Sequence, residues 1–114
     1  MLRKIDCVMV HVDDLTAGIG FYTRTLGLRE MWRDGTSAGL GMPETDAEIV
    51  LHTFPLPAGR GVGYLVDDVR AAVAGWGSEV LERPFEIAIG WCAVLGDPFG
   101  NPVCILDMTK GARG

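Results

Sequence analysis

The sequence has 114 residues, 48% of them hydrophobic, and a formal net charge of −5 at pH 7. A chain of this length forms a single domain, residues 1–114, and buries a core of its own. The acidic balance and the lack of any run of Lys or Arg argue against nucleic acid or an anionic membrane surface as a partner, and no apolar run approaches the ~20 residues of a membrane helix.

The first half of the chain predicts one helix and four strands. Residues 4–12 mix β-branched and apolar side chains and end at Asp13-Asp14, whose carboxylates can cap a following helix. Apolar residues then recur at helical steps: Leu15, Ile19, Tyr22 and Leu26. Gly27 is a natural C-terminal stop for this helix. Three more strands are predicted at residues 28–33, 37–41 and 48–54, so this half has the order βαβββ.

The second half repeats this order after a Pro- and Gly-containing linker at residues 55–61. Its predicted elements are a strand at 62–66, a helix at 69–76 and strands at 79–86, 90–95 and 102–108. The tetrapeptide Val12-Asp13-Asp14-Leu15 returns 54 residues later as Val66-Asp67-Asp68-Val69, at the same place between strand and helix. Such a repeat indicates internal duplication, with half-modules at 1–54 and 61–109.

Several short motifs share the spacing of one protein family. They are Asp14-Leu15, Phe21-Tyr22, Leu26-Gly27, the second tetrapeptide, and Asp97-Pro98-Phe99-Gly100-Asn101. In these motifs the chain resembles, over nearly its whole length, the vicinal oxygen chelate superfamily of glyoxalase I, extradiol dioxygenases, fosfomycin-resistance enzymes and bleomycin-resistance proteins. The resemblance implies an α+β fold in which two βαβββ modules form curled mixed sheets around a shared cavity. It leaves function open, since the superfamily includes lyases, isomerases, dioxygenases, thiol transferases and non-catalytic drug binders.

The resemblance also implies where metal ligands would stand, because metal-binding members carry them on the first and last strand of each module. Those positions fall on Cys7, on or beside Leu51, on Gly61 and on Cys104. A divalent ion needs several oxygen or nitrogen donors, and this set offers at most two thiolates. We therefore expect no metal cofactor, with a divalent metal as the alternative.

Strand alternation predicts which side chains line the cavity. Cys7, Met9 and His11 share one face of the first strand, and Cys104 lies on a face of the last; under the implied register Cys92 also faces inward. Two interpretations of this wall stay open. The cysteines are inert core residues, or they form with His11 a site for a soft ion such as Zn or Cu(I) or a reactive Cys–His pair.

Aromatic residues supply the other candidates for ligand contact. Trp32 is the best candidate for stacking on a planar ligand, although a core or interface role fits it equally well, and Tyr64 is the next. Trp76 and Trp91 are predicted to lie in the core. His52 follows Leu51 and should therefore face away from the cavity.

We expect from the sequence a metal-free small-molecule binding protein that sequesters a hydrophobic or cationic compound. Its predicted ligand-binding residues are Cys7, Met9, His11, Trp32, Leu51, Tyr64, Cys92 and Cys104. The alternative is a glyoxalase-like lyase or isomerase, or a dioxygenase-related enzyme, with a non-standard metal or His/Cys site and His11 as general base. That alternative predicts that Glu48 or His52 converges with His11. A third interpretation is a dimerising module whose cavity is filled by its own side chains.

Two further expectations concern the cellular compartment and the oligomeric state of the protein. Three cysteines without a CxxC pair, and an apolar N-terminal stretch without a cleavage site, predict a reduced, cytoplasmic protein. The resemblance implies a homodimer.

Overall fold

The structure is a computed structural model that describes residues 1–55 and 61–111. In this part of the chain the elements are β1 (Lys4–His11), α1 (Leu15–Gly20), a π-helical segment (Phe21–Thr25), β2 (Arg29–Arg33), β3 (Ser37–Met42), β4 (Thr45–His52), β5 (Gly61–Leu65), α2 (Val69–Ala74), β6 (Val80–Ile87), β7 (Gly90–Gly96) and β8 (Pro102–Leu106). The predicted order of two βαβββ modules is confirmed. Most of the predicted linker, residues 56–60, lies outside the described residues.

The strands form one mixed sheet in the order β2-β3-β4-β1-β5-β8-β7-β6. Within each module the first strand pairs in parallel with the last, β1 with β4 and β5 with β8. The modules meet where β1 and β5 pair antiparallel. The two modules therefore join within a single chain, and their shared cavity is built by that chain.

The repeated tetrapeptides have the same role in both modules. Asp14 accepts a hydrogen bond from the backbone N–H of Ala17 at 3.0 Å, and Asp68 accepts one from Ala71 at 3.0 Å, so each caps the helix that follows it. The helical segment of the first module ends before Gly27, whose φ of +78° is readily adopted by glycine alone. In the second module α2 ends at Ala74, two residues earlier than predicted, because Gly75 leaves the helical conformation.

Residues of β4 and β8 that are 54 positions apart, like the two tetrapeptides, make the same hydrogen bonds. The N–H of Val12 donates to the carbonyl of His52, and the N–H of Val66 donates to that of Leu106, both at 2.9 Å. His52 and Leu106 therefore occupy equivalent positions at the ends of β4 and β8. Element boundaries differ from the predicted ones most at β4, which begins three residues earlier.

The two faces of the sheet carry different clusters of buried residues. Ile19, Ala38, Leu40 and Leu51 form the cluster under α1. Val66, Val69, Ala93, Leu95 and Ile105 form the cluster under α2. The third cluster contains Cys7, Val50, Leu65, Ile89, Cys92, Val94, Cys104 and Leu106, with Met9 and Trp32 packed against it. Both helices thus cover one face of the sheet, and the third cluster forms the floor of a cavity on the other face.

A buried carboxylate fixes the second module. Asp107 is fully buried just after β8 and accepts hydrogen bonds from the backbone N–H groups of Val69 (2.7 Å), Trp91 (2.9 Å) and Thr109 (3.2 Å) and from the Thr109 hydroxyl (2.9 Å). Burial alone would raise the pKa of Asp107, but these hydrogen bonds outweigh it and lower the pKa below its ordinary value. The charged carboxylate therefore ties the start of α2 to β7 and to the end of β8.

Candidate functional site

The concave face of the sheet encloses a cavity of about 830 Å³, within the usual range for sites that bind small molecules. Its floor includes Cys7, Met9, Val50, Cys92 and Leu106. The first module supplies one rim, from Trp32 to Ser37, and the second supplies the other, from Glu82 to Ala88. The cavity therefore lies across the junction of the modules and is lined by both.

Five of the predicted ligand-binding residues lie on or directly under this surface. Cys7, Met9, Trp32 and Cys92 line the cavity. Cys104 lies in the same buried cluster, with its Sγ 3.5 Å from the Sγ of Cys92. Binding of a ligand by these residues stays a prediction.

Two predicted residues face the other side of the sheet. Leu51 is buried under α1, so the expectation that it faces the cavity is wrong. The alternation of β4 instead brings its neighbour Val50 to the cavity floor. Tyr64 pairs with Ile105, a residue of the cluster under α2, and paired residues point to the same face. Its expected role as a wall of the cavity is therefore wrong as well.

The two histidines meet at the end of β1 and β4. His11 is exposed and is not among the residues that line the cavity, whereas His52 is fully buried, and their ring centroids lie 5.6 Å apart. The His52 ring stacks on Phe54, and its Nδ1 accepts the Phe54 backbone N–H at 3.1 Å, so this nitrogen carries no proton. The expectation that His52 faces away from the cavity side is wrong, because it shares the face of Val50.

An irregularity in β1 brings an acidic residue to the wall of the cavity. The pairing of β1 with β5 shifts register between Ile5 and Cys7, so Asp6 is an extra residue in the strand. A β-bulge re-aims side chains and is common beside active sites, and the half-buried Asp6 lines the cavity next to Cys7. Sequence reasoning missed Asp6 because strict alternation from Cys7 puts it on the opposite face. Nothing in the sequence marks the bulge.

Two neighbours fix the position of the Trp32 side chain in the first rim. Its Nε1 donates a hydrogen bond to Oε1 of Glu48 at 2.8 Å. Its indole lies directly over Gly39, where an added methyl group would overlap the ring. The side chain thus lines the cavity and also packs on the core cluster, and both roles considered for it are compatible with this position.

Charged groups of both signs surround the mouth of the cavity. Asp34 accepts hydrogen bonds from the backbone N–H groups of Thr36 and Ser37, each at 2.9 Å. Burial raises the pKa of Asp34, but these bonds and those from the two hydroxyl groups outweigh it and lower the pKa. Arg33 and Arg83 face the cavity from opposite rims, and Arg33 is paired with Glu30 at 2.7 Å.

The positions at which the family carries metal ligands do not form a site for a divalent ion. Cys7 and Cys104 are thiols in an apolar cluster, Leu51 lies under α1, and Gly61 has no side chain. Among residues 1–55 and 61–111, no group of three or more His, Cys, Asp or Glu is arranged to hold a metal. The residues present do not fit the metal centre of the family.

Comparison with known proteins identifies the family. The family model of the Glyoxalase/Bleomycin resistance protein/Dioxygenase superfamily matches residues 4–105, so the chain belongs to that superfamily. No curated protein matches the sequence. None of the helices in the described part of the chain is long and apolar enough to cross a membrane.

Solved structures share the fold at low sequence identity. A single-residue variant of Streptomyces coelicolor methylmalonyl-CoA epimerase in complex with 2-nitronate-propionyl-CoA is 21% identical, with a TM-score of 0.73 and all of both chains covered. The Mycobacterium tuberculosis methylmalonyl-CoA epimerase is 19% identical, with a TM-score of 0.71 over 98% of this chain and 90% of that one. NAD-dependent benzaldehyde dehydrogenase from Legionella pneumophila is 18% identical, with a TM-score of 0.71 over 90% and 98%.

These relatives overturn the main functional expectation. The chain was expected to be a non-catalytic binding protein, but several structures that share its fold over nearly their whole length are methylmalonyl-CoA epimerases, which are enzymes. The sequence favoured a binder because the expected metal ligands are missing, and that pattern bears on the metal rather than on catalysis. The alternative, a glyoxalase-like lyase or isomerase, is the better supported interpretation.

Proposed function

We propose that this protein is an isomerase that removes a proton from a carbon beside a carbonyl group, on a small acyl compound bound in the cavity. The observation that carries the proposal is the bulge at Asp6, which places this acidic residue in the wall of the cavity beside the apolar floor. Membership of a superfamily that contains isomerases, and a fold shared with epimerases of an acyl-CoA compound, support the same class of reaction. Epimerisation at such a carbon requires that a proton be removed and returned.

In the proposed reaction Asp6 is the general base. The C–H bond beside the carbonyl breaks, its proton moves to the Asp6 carboxylate, and the electron pair moves onto the carbonyl oxygen as an enolate. The Asp6 carboxyl group releases this proton to solvent. A solvent proton then adds to the opposite face of the same carbon as the enolate electron pair re-forms the carbonyl, which inverts the configuration. The guanidinium groups of Arg33 and Arg83 at the rims favour the negative charge of the enolate.

The apolar floor serves the binding of the substrate. Met9, Val50 and Leu106 supply an apolar surface at the base of the cavity, on which the carbon chain of an acyl compound can pack. The Trp32 ring, held by Glu48, bounds the substrate on one side. No step of this scheme uses a metal.

The His11–His52 pair is the second candidate for the base. Its support is the 5.6 Å separation of the rings, which agrees with the convergence that the enzyme interpretation predicted. Asp6 is preferred because it lines the cavity and His11 does not.

The test is exchange of substrate protons for deuterium in D2O, followed by mass spectrometry, with a panel of acyl thioesters and free 2-oxo acids. The protein is first treated with a chelator. We expect exchange at the carbon beside the carbonyl for at least one member of the panel, and a loss of about 100-fold or more in Asp6→Asn, the usual contribution of a general base. Asp13→Asn, which changes an exposed acid beyond the end of β1, should exchange like the original protein.

Three results would overturn parts of the proposal. Absence of exchange across the panel contradicts the isomerase function. Exchange that survives Asp6→Asn but is lost in His11→Ala moves the role of base to the histidine pair. Exchange that appears only after a divalent ion is added contradicts the metal-free scheme.

A further inference from the structure

Four sulfur atoms meet at the centre of the cavity floor. Cys7 and Met9 belong to β1, Cys92 to β7 and Cys104 to β8, so three separate strands contribute. The three cysteines are at most 4% exposed, and none of them is in a disulfide. The proposed isomerase reaction uses none of these sulfurs.

Three of the sulfurs form a connected chain. The Sγ atoms of Cys92 and Cys104 are 3.5 Å apart, and the thiol of Cys104 donates to Sδ of Met9 at 3.7 Å. A single ion bonded to sulfurs at about 2.3 Å would hold them roughly 3.8–4.0 Å apart. Both of these sulfur–sulfur distances are therefore within a few tenths of an ångström of the spacing that shared coordination requires.

The absence of a side chain at Gly63 allows this arrangement. Gly63 pairs with both Cys7 and Cys104, at the junction of the modules. A methyl group on Gly63 would stand 2.8 Å from Sγ of Cys7 and 3.3 Å from the Leu106 side chain. With hydrogen at this position, the side chains of β1 approach those of β8 across the junction.

We propose that Cys92, Cys104 and Met9 form a binding site for copper(I). Thiolate and thioether sulfurs together select this soft ion, whereas structural zinc takes four ligands from Cys, His and carboxylates. Cys7 stands beside the three ligands rather than among them, since His, Cys, Asp and Glu alone make no three-ligand group in the described part of the chain. The ion has a route inward, because Met9 and Cys92 both line the cavity.

Copper(I) replaces the thiol protons of the site. The thiolate is the form that binds a metal, so coordination by Cys92 and Cys104 releases both thiol protons to solvent, and the loaded cluster carries one net negative charge.

The test is an anaerobic titration of the reduced full chain with copper(I), in competition with a chromophoric copper(I) chelator. Mass spectrometry after thiol alkylation first establishes that all three cysteines are reduced. We expect one equivalent of copper per chain, and X-ray absorption should give a first shell of sulfur only. Zinc in the same titration should not be retained.

Two methionine variants make the assignment specific. Met9→Leu keeps the side-chain volume but removes the thioether. Since changing a residue that merely supports a metal ligand costs about 10–100-fold in affinity, loss of this ligand should weaken copper binding by at least about tenfold. Met108→Leu, whose sulfur is outside the cluster, is the control and should bind like the original protein.

Four results would contradict the proposed copper(I) site or one of its ligands. Equal copper affinity in Met9→Leu and Met108→Leu removes Met9 from it. Retention of zinc as tightly as copper, or no retained copper, rejects the copper(I) assignment. Cys104→Ser should abolish binding while retaining the circular dichroism of the fold, and copper binding in that variant also rejects the proposal. Because the assay measures binding, its result is independent of the proposed isomerase activity.

Discussion

The two modules have the same backbone arrangement but differ in the side chains on the concave face of the sheet. Each has an Asp-capped helix and a parallel pairing of its first and last strands. On the concave face, however, equivalent positions carry different side chains. His11 and His52 of the first module correspond to Leu65 and Leu106 of the second, Met9 to Gly63, and Val50 to Cys104. Duplication thus accounts for the sheet and the caps, while divergence on one face produced an asymmetric cavity from two similar halves.

The largest effect is expected at Asp107, which has no counterpart in the first module, where Thr53 occupies the equivalent position. Asp107→Ala leaves the N–H groups of Val69, Trp91 and Thr109 without an acceptor. The bond from Val69 is buried and the other two are partly buried. A buried unsatisfied donor costs about 1–3 kcal/mol, so the free energy of unfolding should fall by about 3 kcal/mol in a urea titration. Thr53→Ala, which removes an exposed hydroxyl, should change it by less than about 0.5 kcal/mol. Similar losses in the two variants would contradict the asymmetry.

The next effect concerns the first module. Gly39→Ala inserts a methyl group where the Trp32 indole and the Glu48 carboxylate lie. We expect a loss of about 1–3 kcal/mol in the free energy of unfolding, as for other overpacked sites, together with a changed near-ultraviolet circular dichroism spectrum from the displaced indole. Gly35→Ala is the matched control, because nothing lies within 4 Å of its added methyl group. An unchanged spectrum in Gly39→Ala would show that Trp32 is not held as described.

The two helix caps should contribute equally to stability, because they are equivalent in the two modules. Asp14→Ala and Asp68→Ala each remove one side-chain acceptor for a backbone N–H, at 3.0 Å in both cases. Each should lower the free energy of unfolding by about 1 kcal/mol, and the two losses should agree within the error of a denaturant titration. A large cost for one and none for the other would mean that the repeated tetrapeptides are not functionally equivalent.

The smallest expected effect is a difference in the acid dependence of stability. Asp34 in the first module and Asp107 in the second both have a folded-state pKa below the ordinary value of 3.8. Their stabilisation is therefore complete above that pH and is lost as the pH falls through the folded pKa. Melting temperatures measured from pH 5 down to acid should decline less steeply in Asp34→Asn and in Asp107→Asn than in the original protein. An unchanged slope in both variants would contradict the lowered pKa values.

The sequence predicted the fold well because the signals for it are local. Alternating apolar residues, capping aspartates and the glycine after the first helix each act within a few residues, and the tetrapeptide repeat links the two halves. Gly27 and Asp14 behave as their sequence context predicted. Most differences lie at element ends, such as the early start of β4.

The cavity was harder to predict because it depends on register between distant strands. A shift of one residue reverses the face of every side chain in a strand, and this is why Leu51 and His52 were assigned to the wrong sides. Asp6 was missed for a related reason, since a bulge interrupts the alternation from which the inward face was inferred. Asp107 was missed because two of its three backbone donors, Val69 and Trp91, lie 38 and 16 residues away in the sequence.

The parallel pairing of the first and last strand of each module has a consequence for folding. Neither β1 nor β5 can reach its parallel partner until the intervening helix and strands of its own module have emerged. Such non-local pairing slows folding into the millisecond-to-second range. During synthesis the first module can close while the second is still being translated. The sulfur-rich part of the cavity floor is completed only after β8 has left the ribosome, so the proposed copper(I) site cannot form before the rest of the sheet has been made.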